Sequence, residues 1–274
     1  MSLLHASLHT PALIALFNMI SQSVFRSSHA TPVSSTTTAS RRSLRVTNSI
    51  ACSNCALRDV CMPSDLTAAE FECLDALVCN SRKITRGETL YRRGDVFRNL
   101  YAIKSGAFKT RMTLRDGREQ ITGFHIAGEP LGLDGIHASE HTADAVALED
   151  GVVCLIPFGR LEQLCGEMRA MQRHVHRLMS GEIVRASQLM ALLGSMRAEE
   201  RVWAFLLNLL QRLRTLHHAD TEFKLCMSRE EIGSYLGMTL ETVSRMLSRF
   251  QNEKLIEVRG KLIRILDAKG PLRV

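Results

Sequence analysis

No acidic side chain precedes Asp59, and the chain has no apolar run long enough to cross a bilayer. The one apolar stretch near the N-terminus, Ala12–Ile20, is too short for a span and follows Pro11. Enzyme signatures are missing as well. There is no Ser, His, Asp ordering of a nucleophilic triad, no phosphate-binding glycine loop, and no pair of carboxylates set apart for acid–base work. His125 and His137 stand alone and read as structural or surface histidines, so the chain is not expected to be an enzyme. A convincing secretory leader is lacking too, which points to a reducing, cytoplasmic setting with no membrane partner. In that setting the eight cysteines read as metal ligands or redox groups sooner than as disulfides.

Cations outnumber anions by 35 to 28, and the resulting +7 is a weak pointer to a polyanionic partner. Residues 1–49 are rich in Ser, Thr, Ala and His and bury too little apolar surface to offset the entropy of ordering. They read as a disordered extension or the product of a misassigned start, and their acid-free composition also fits a transit peptide.

Three cysteines then fall within ten residues, Cys52, Cys55 and Cys61, spaced C-x2-C-x5-C. A C-x2-C turn brings two thiolates to one centre, and a third follows on the same loop. Soft thiolates select zinc or iron–sulfur clusters, and either needs a fourth ligand from elsewhere in the fold. Spacing alone leaves open an iron–sulfur cluster, a structural zinc and unligated thiols. Cys154, inside the apolar run Val152–Ile156, reads on that run as an ordinary buried cysteine.

From Arg82 to Phe158, short β-type runs alternate with glycine-centred turns, and Asp116-Gly117 between two such runs marks a hairpin. The pattern predicts a jelly-roll or sandwich. Phe158 to about Ser195 contains no proline and reads as one long helix. On it Met179, Ile183, Ala186, Met190 and Leu193 recur at alternating steps of four and three, the seam of a helix packing on another helix; its regularity favours a dimer interface over packing on its own domain.

Glu199–Leu213 is a further amphipathic helix. Ser228 and Glu231 form a capping box, Gly237 ends the helix they start, and Thr239 caps another at once. Ile232, Leu236, Val243 and Leu247 supply a small core, and Gly233 permits close approach of the two helices. This is a helix-turn-helix, and Leu255–Ile265 around Gly260 supplies the two strands of a wing. The second helix offers Glu241, Thr242, Ser244, Arg245, Ser248 and Arg249 to a major groove.

Leu100–Lys109, Glu119–Glu129, Leu178–Ile183 and Tyr235–Arg245 together resemble the CRP/FNR superfamily, specifically its FNR branch, over about Ala51 to Leu266. The resemblance implies an α+β chain. It comprises a disordered extension (1–49), a cluster-binding loop and helix (50–80), and a cyclic-nucleotide-binding-like β-roll (81–160). A dimerisation helix (161–195) and a winged helix-turn-helix (196–274) follow. It further implies a 4Fe–4S cluster on Cys52, Cys55, Cys61 and Cys154, which makes a ligand of the last, with Cys73, Cys79, Cys165 and Cys226 left as packing or surface thiols. The implied protein is a homodimeric regulator, mainly an activator, of low-oxygen gene expression. It would sense oxygen through the cluster, bind double-stranded DNA at two-fold TTGAT-type sites, and touch RNA polymerase, with the Thr113–Gln120 turn exposed for that contact. The pattern E-x-x-S-R falls on Glu241, Ser244 and Arg245, with Arg245 on the guanine. The same fold with a zinc or thiol redox switch is the alternative.

Two departures from the wider family matter. Nucleotide-binding relatives carry an Arg-Ser pair after the Gly-Glu of the β-roll. Here Gly128 and Glu129 are kept, but Glu140-His-Thr-Ala-Asp144 replaces the pair, so no cyclic nucleotide is expected. An acidic residue can interrupt the dimer seam in FNR-like chains, and here that position is Ala186, which favours pairing.

Overall fold

In the computed structural model, residues 52–64, 66–77, 80–216, 221–268 and 270–271 are described. The expected extension 1–49 and Cys79 lie outside them. A one-turn 3-10 helix, Cys52–Asn54, leads into α1 (Arg58–Cys61) and then α2 (Ala68–Leu77). The alternating runs that follow form β1 (Asn80–Ile84), β2 (Thr89–Tyr91), β3 (Asn99–Ser105), β4 (Ala107–Thr113), β5 (Glu119–Ile126), β6 (Pro130–Leu131), β7 (Asp144–Ala147) and β8 (Gly151–Pro157). They pair antiparallel into two four-stranded sheets, β1-β8-β3-β6 and β2-β7-β4-β5. Between the sheets, Ile84, Ile103, Phe108, Ala145 and Val153 are almost wholly buried, as period-two strands with one inward face require. The Asp116-Gly117 hairpin forms as expected, with Gly117 at φ 83° and the Leu114 N–H donating to the Arg118 carbonyl.

One helix was expected from Phe158; the chain makes two, α3 (Phe158–Glu167) and α4 (Arg169–Ser195). Met168 between them is extended, at φ −121° and ψ 105°. Its side chain is buried with Leu161 and Met171 beneath the cysteine-bearing segment. Burying that methionine outweighs the helical preference of an unbroken, proline-free run.

The C-terminal part comprises α5 (Ala198–Arg214), β9 (Glu222–Lys224), α6 (Arg229–Leu236), α7 (Leu240–Asn252), β10 (Ile256–Arg259) and β11 (Leu262–Ile265). Its sheet runs β10-β11-β9, so the expected two-stranded wing gains a third strand. Trp203, Ile232, Leu236, Val243, Leu247 and Phe250 fill its core. That core is continuous with Ile121, Phe124 and Ile126 of β5, so the helix-turn-helix is docked on the β-roll. Phe124, Phe205 and Tyr235 meet there with ring centroids 5.2 to 6.0 Å apart.

Candidate cysteine pocket and nucleic-acid interface

The C-x2-C turn is a real turn: the Cys55 N–H donates to the Cys52 carbonyl at 3.2 Å, and the Arg58 N–H to the Cys55 carbonyl at 3.0 Å. Ser53 anchors it to α2, its hydroxyl and N–H donating to the Asp75 carboxylate at 2.6 and 3.1 Å. The Arg58 guanidinium lies 4.0 Å over the Phe71 ring. Cys61 ends α1, and its Sγ lies 3.8 Å from the Gly128 carbonyl oxygen. Cys154 comes from a different part of the chain, on β8 between β1 and β3, opposite Ser81 and Ala102.

Cys52, Cys55, Cys61 and Cys154 line one pocket, about 400 Å³ including the part open to solvent, with Arg58 and Lys104 on its wall. Burial, then the neighbouring thiols, pushes Cys52 and Cys61 up to about 12. Clustered thiols resist becoming thiolates until a cation joins them, and metal binding supplies one. Among the described residues, no three His, Cys, Asp or Glu side chains stand close enough to hold one metal ion. Cys73 is exposed, and Cys165 and Cys226 are half-buried outside this pocket.

At the helix-turn-helix, the capping box closes both ways: Ser228 Oγ accepts from the Glu231 N–H at 3.1 Å, and Glu231 accepts from the Ser228 N–H at 2.7 Å. Gly237 adopts φ 64°, and the Met238 N–H returns to the Gly233 carbonyl at 2.9 Å. Thr239 caps α7 through the Thr242 N–H at 3.3 Å. Glu241, Arg245, Ser248 and Arg249 are exposed on α7, with Thr242 and Ser244 half-buried. Ser244 Oγ accepts from Arg229 at 3.2 Å, so a cation at the first position of α6 joins this face; only its place after the Ser228 cap marked it in the sequence. Leu240, 43% exposed in the first turn of α7, also escaped sequence reading. Arg249 is committed within the chain, 2.7 Å from each of Glu199 and Glu253.

Along α4, Met179, Ile183 and Met190 are 38%, 68% and 66% exposed, and Ala186 is exposed between them. This is an apolar stripe with no cover in the single chain. Leu193 differs: it is half-buried and packs onto the core of its own helix-turn-helix. Elsewhere His125 is buried and His137 exposed. Among the described residues, no helix is long and apolar enough to cross a membrane.

Family profiles match in two places. Residues 81–168 match the cyclic nucleotide-binding domain, and residues 200–270 match the Crp-like helix-turn-helix domain. The chain is 47% identical over 219 residues to the transcriptional regulatory protein btr of Bordetella pertussis, covering 80% of this chain and 90% of that one. It is 42% identical over 216 residues to the fumarate and nitrate reduction regulatory protein of Salmonella typhi, covering 79% and 86%. Among solved structures, FixK2 from Bradyrhizobium japonicum superposes with a TM-score of 0.65 at 32% identity, covering 69% of this chain and 93% of that one.

Proposed function

Because the chain belongs to the FNR/Anr-type branch of the CRP/FNR family of DNA-binding transcription regulators, we propose that it regulates genes according to oxygen supply, mainly as an activator, through a 4Fe–4S cluster held by Cys52, Cys55, Cys61 and Cys154. The observation that carries this reading is the convergence of those four thiols, from two distant parts of the chain, on one pocket. The donor set is all sulfur, and two cations, Arg58 and Lys104, lie beside it to balance a net anionic group. When bound, such a cluster supplies oxygen-labile bonds between the N-terminal loop and β8.

The chain's own residues do the rest. Cys61 and Val60 lie against Gly128, where a Cβ would stand 2.7 Å from Val60, so the position of the loop is felt at the β5–β6 turn. Met179, Ile183, Ala186 and Met190 pair two copies of α4, with Leu193 completing the seam at the helix-turn-helix end. Pairing sets two α7 helices for a two-fold, TTGAT-type site, with Arg245 on guanine, Glu241 on cytosine, and Thr242, Ser244 and Arg249 alongside. Without those bonds the loop would no longer be tied to β8, the pairing of α4 would weaken and DNA affinity would fall. The β4–β5 turn, with Met112 and Leu114 exposed, is the surface offered to RNA polymerase in the cytoplasm.

No nucleotide is needed in the β-roll. His141, where relatives would place a cation, is buried, stacks 3.7 Å from Tyr91 and lies 3.4 Å from Asp134. Asp134 also accepts from the Thr142 and Ala143 N–H groups.

The test is iron and acid-labile sulfide content of protein purified without air, with its visible spectrum followed on admitting oxygen. About four irons and four sulfides per chain, bleaching in air, is the expected result. Zinc, or no metal and an unchanging spectrum, would replace the cluster with a zinc or thiol switch.

A further inference from the structure

Four charged side chains from three parts of the fold meet beside the β5–β6 turn. Glu129 takes a fork from Arg212 of α5: Nε to Oε1 at 2.8 Å and Nη2 to Oε2 at 2.6 Å. Arg212 Nη2 also donates to the Phe124 carbonyl at 2.6 Å, and Glu129 accepts from the Ile126 N–H at 3.0 Å. From α4, Arg185 Nη1 lies 3.8 Å from Glu129 and 3.2 Å from Glu182. The Arg212 and Glu129 side chains are only 16% and 14% exposed. Burial alone would raise the Glu129 carboxyl, yet Arg212 and Arg185 hold it at about 2. The carboxyl is thus held in its ionised form beside the two guanidinium groups.

Its placement gives it leverage. The chain crosses from α4 to α5 through two extended residues, Met196 and Arg197, a pivot that Arg201 fastens by donating to the Met196 and Leu193 carbonyls at 2.9 and 2.7 Å. Arg212 lies fourteen residues beyond the first residue of α5, about 21 Å along the rod at 1.5 Å per residue. A rod hinged at one end and pinned at the other has a fixed direction. The pin is the same carboxylate that touches α4, so α5 is fixed against the dimer helix itself. Other polar ties cross this junction, Lys109 to Glu231 at 2.6 Å and the Ile121 N–H to Ser234 Oγ at 3.0 Å, but they hold α6. Lys224 to Glu149, 3.3 Å long with the lysine 62% exposed, holds little. The Glu129 fork holds the far end of α5.

We propose that the Glu129–Arg212 pair is a specificity determinant of half-site spacing: it sets the angle between each reading helix and the two-fold axis, so that only one separation of half-sites engages both. This rests on the two-fold DNA reading above. One added base pair moves a half-site by about 3.4 Å and turns it by about 35°. A pinned α5 resists that rotation; without the fork its apolar packing on β5 remains, and its far end yields more readily.

The experiment measures affinities of the anaerobically purified full-length protein for duplexes whose half-sites are moved apart or together by one and two base pairs. Wild type, Glu129→Gln, Arg212→Lys and Lys224→Ala are compared, with thermal unfolding and dimer fraction recorded for each. Arg212→Lys keeps the charge and so the fold, but cannot form the fork. Wild type and Lys224→Ala should favour one spacing. In Glu129→Gln and Arg212→Lys the preference ratio should fall about tenfold, a usual size for coupling between sites, with the off-spacing duplexes losing little. Equal losses at every spacing, tracking lowered stability or dimer fraction, would overturn the proposal, as would a wild type indifferent to spacing. A wild type that binds no two-half-site duplex would overturn the two-fold reading and the pin with it.

Discussion

Gly233 and Met238 face each other across the helix-turn-helix so closely that a Cβ on the glycine would stand 2.6 Å from the Met238 carbonyl oxygen. That oxygen belongs to the tight turn, whose backbone has no freedom to retreat while Thr239 caps the next helix. Gly233→Ala gains about 1 kcal/mol of helix propensity, but crowding a backbone atom costs about 1–3 kcal/mol. The clash wins. The variant should unfold at lower temperature in calorimetry and lose affinity in fluorescence anisotropy with a labelled duplex.

Arg245 and Arg249 lie four residues apart on α7 but are not equivalent. Arg245 is exposed and makes no ion pair among the described residues, whereas Arg249 sits between Glu199 and Glu253. Arg245→Ala should weaken specific binding about ten- to a hundredfold, the worth of one forked base contact, and should erase discrimination at one guanine. Arg249→Ala should cost less affinity and leave base discrimination unchanged, since its guanidinium is already occupied. Affinities measured across a salt series on matched and mismatched duplexes would separate the two.

Cys154→Ser and Cys226→Ser make a matched pair of tests. Cys154 lines the pocket with the three N-terminal thiols, whereas Cys226 lies in another surface cleft near Lys224 and Lys261. Protein prepared without air should lose nearly all iron in the first variant and keep it in the second. Equal iron in both would remove Cys154 from the ligand set.

Acid should loosen the junction in two stages. Burial, then Arg185 and Arg212, lowers His125 to about 3 against an ordinary 6.5, while Glu129 is held at about 2 against 4.5. Both folded-state values are depressed, so both contribute stability at high pH that is lost as pH falls. Below 6.5 the unfolded chain takes up the His125 proton while the folded chain refuses it until about 3. Glu129 adds its loss only below 4.5, down to about 2. Each group contributes at most about 1.4 kcal/mol per pH unit. Denaturant melts between pH 6.5 and 4.5 should show a slope that His125→Leu reduces, while Glu129→Gln leaves the slope in that window unchanged.

Ala186→Asp should shift dimers toward monomers in analytical ultracentrifugation of the anaerobic protein, because two like charges would meet on a pairing seam. Equal dimer fractions for the two proteins would remove position 186 from the contact.

Much of this was legible in the sequence where a local rule determines the structure. The Ser228–Glu231 box, Gly237, the Thr239 cap and the Asp116-Gly117 hairpin all depend on residues within a few positions, and all form as read. The reading faltered where distance along the chain decides. The interruption at Met168 follows from burial against another element. The third wing strand is three residues long, too short to show a period. Glu129 and Arg212 are 83 positions apart, and nothing local marks either as half of a pair. Leu193 fits the seam by spacing, and its half-buried side chain also packs on its own helix-turn-helix core, a contact that no local pattern marks.

The uncovered stripe on α4 makes the amount of protein a signal in its own right. Pairing of two chains is second order, so while monomers predominate the dimer population rises with the square of chain concentration. Doubling synthesis would then raise promoter occupancy about fourfold at low occupancy by the same mass action. A cell could thus tune the regulator's output through its expression level, and any signal that shifts the pairing equilibrium would multiply with that input.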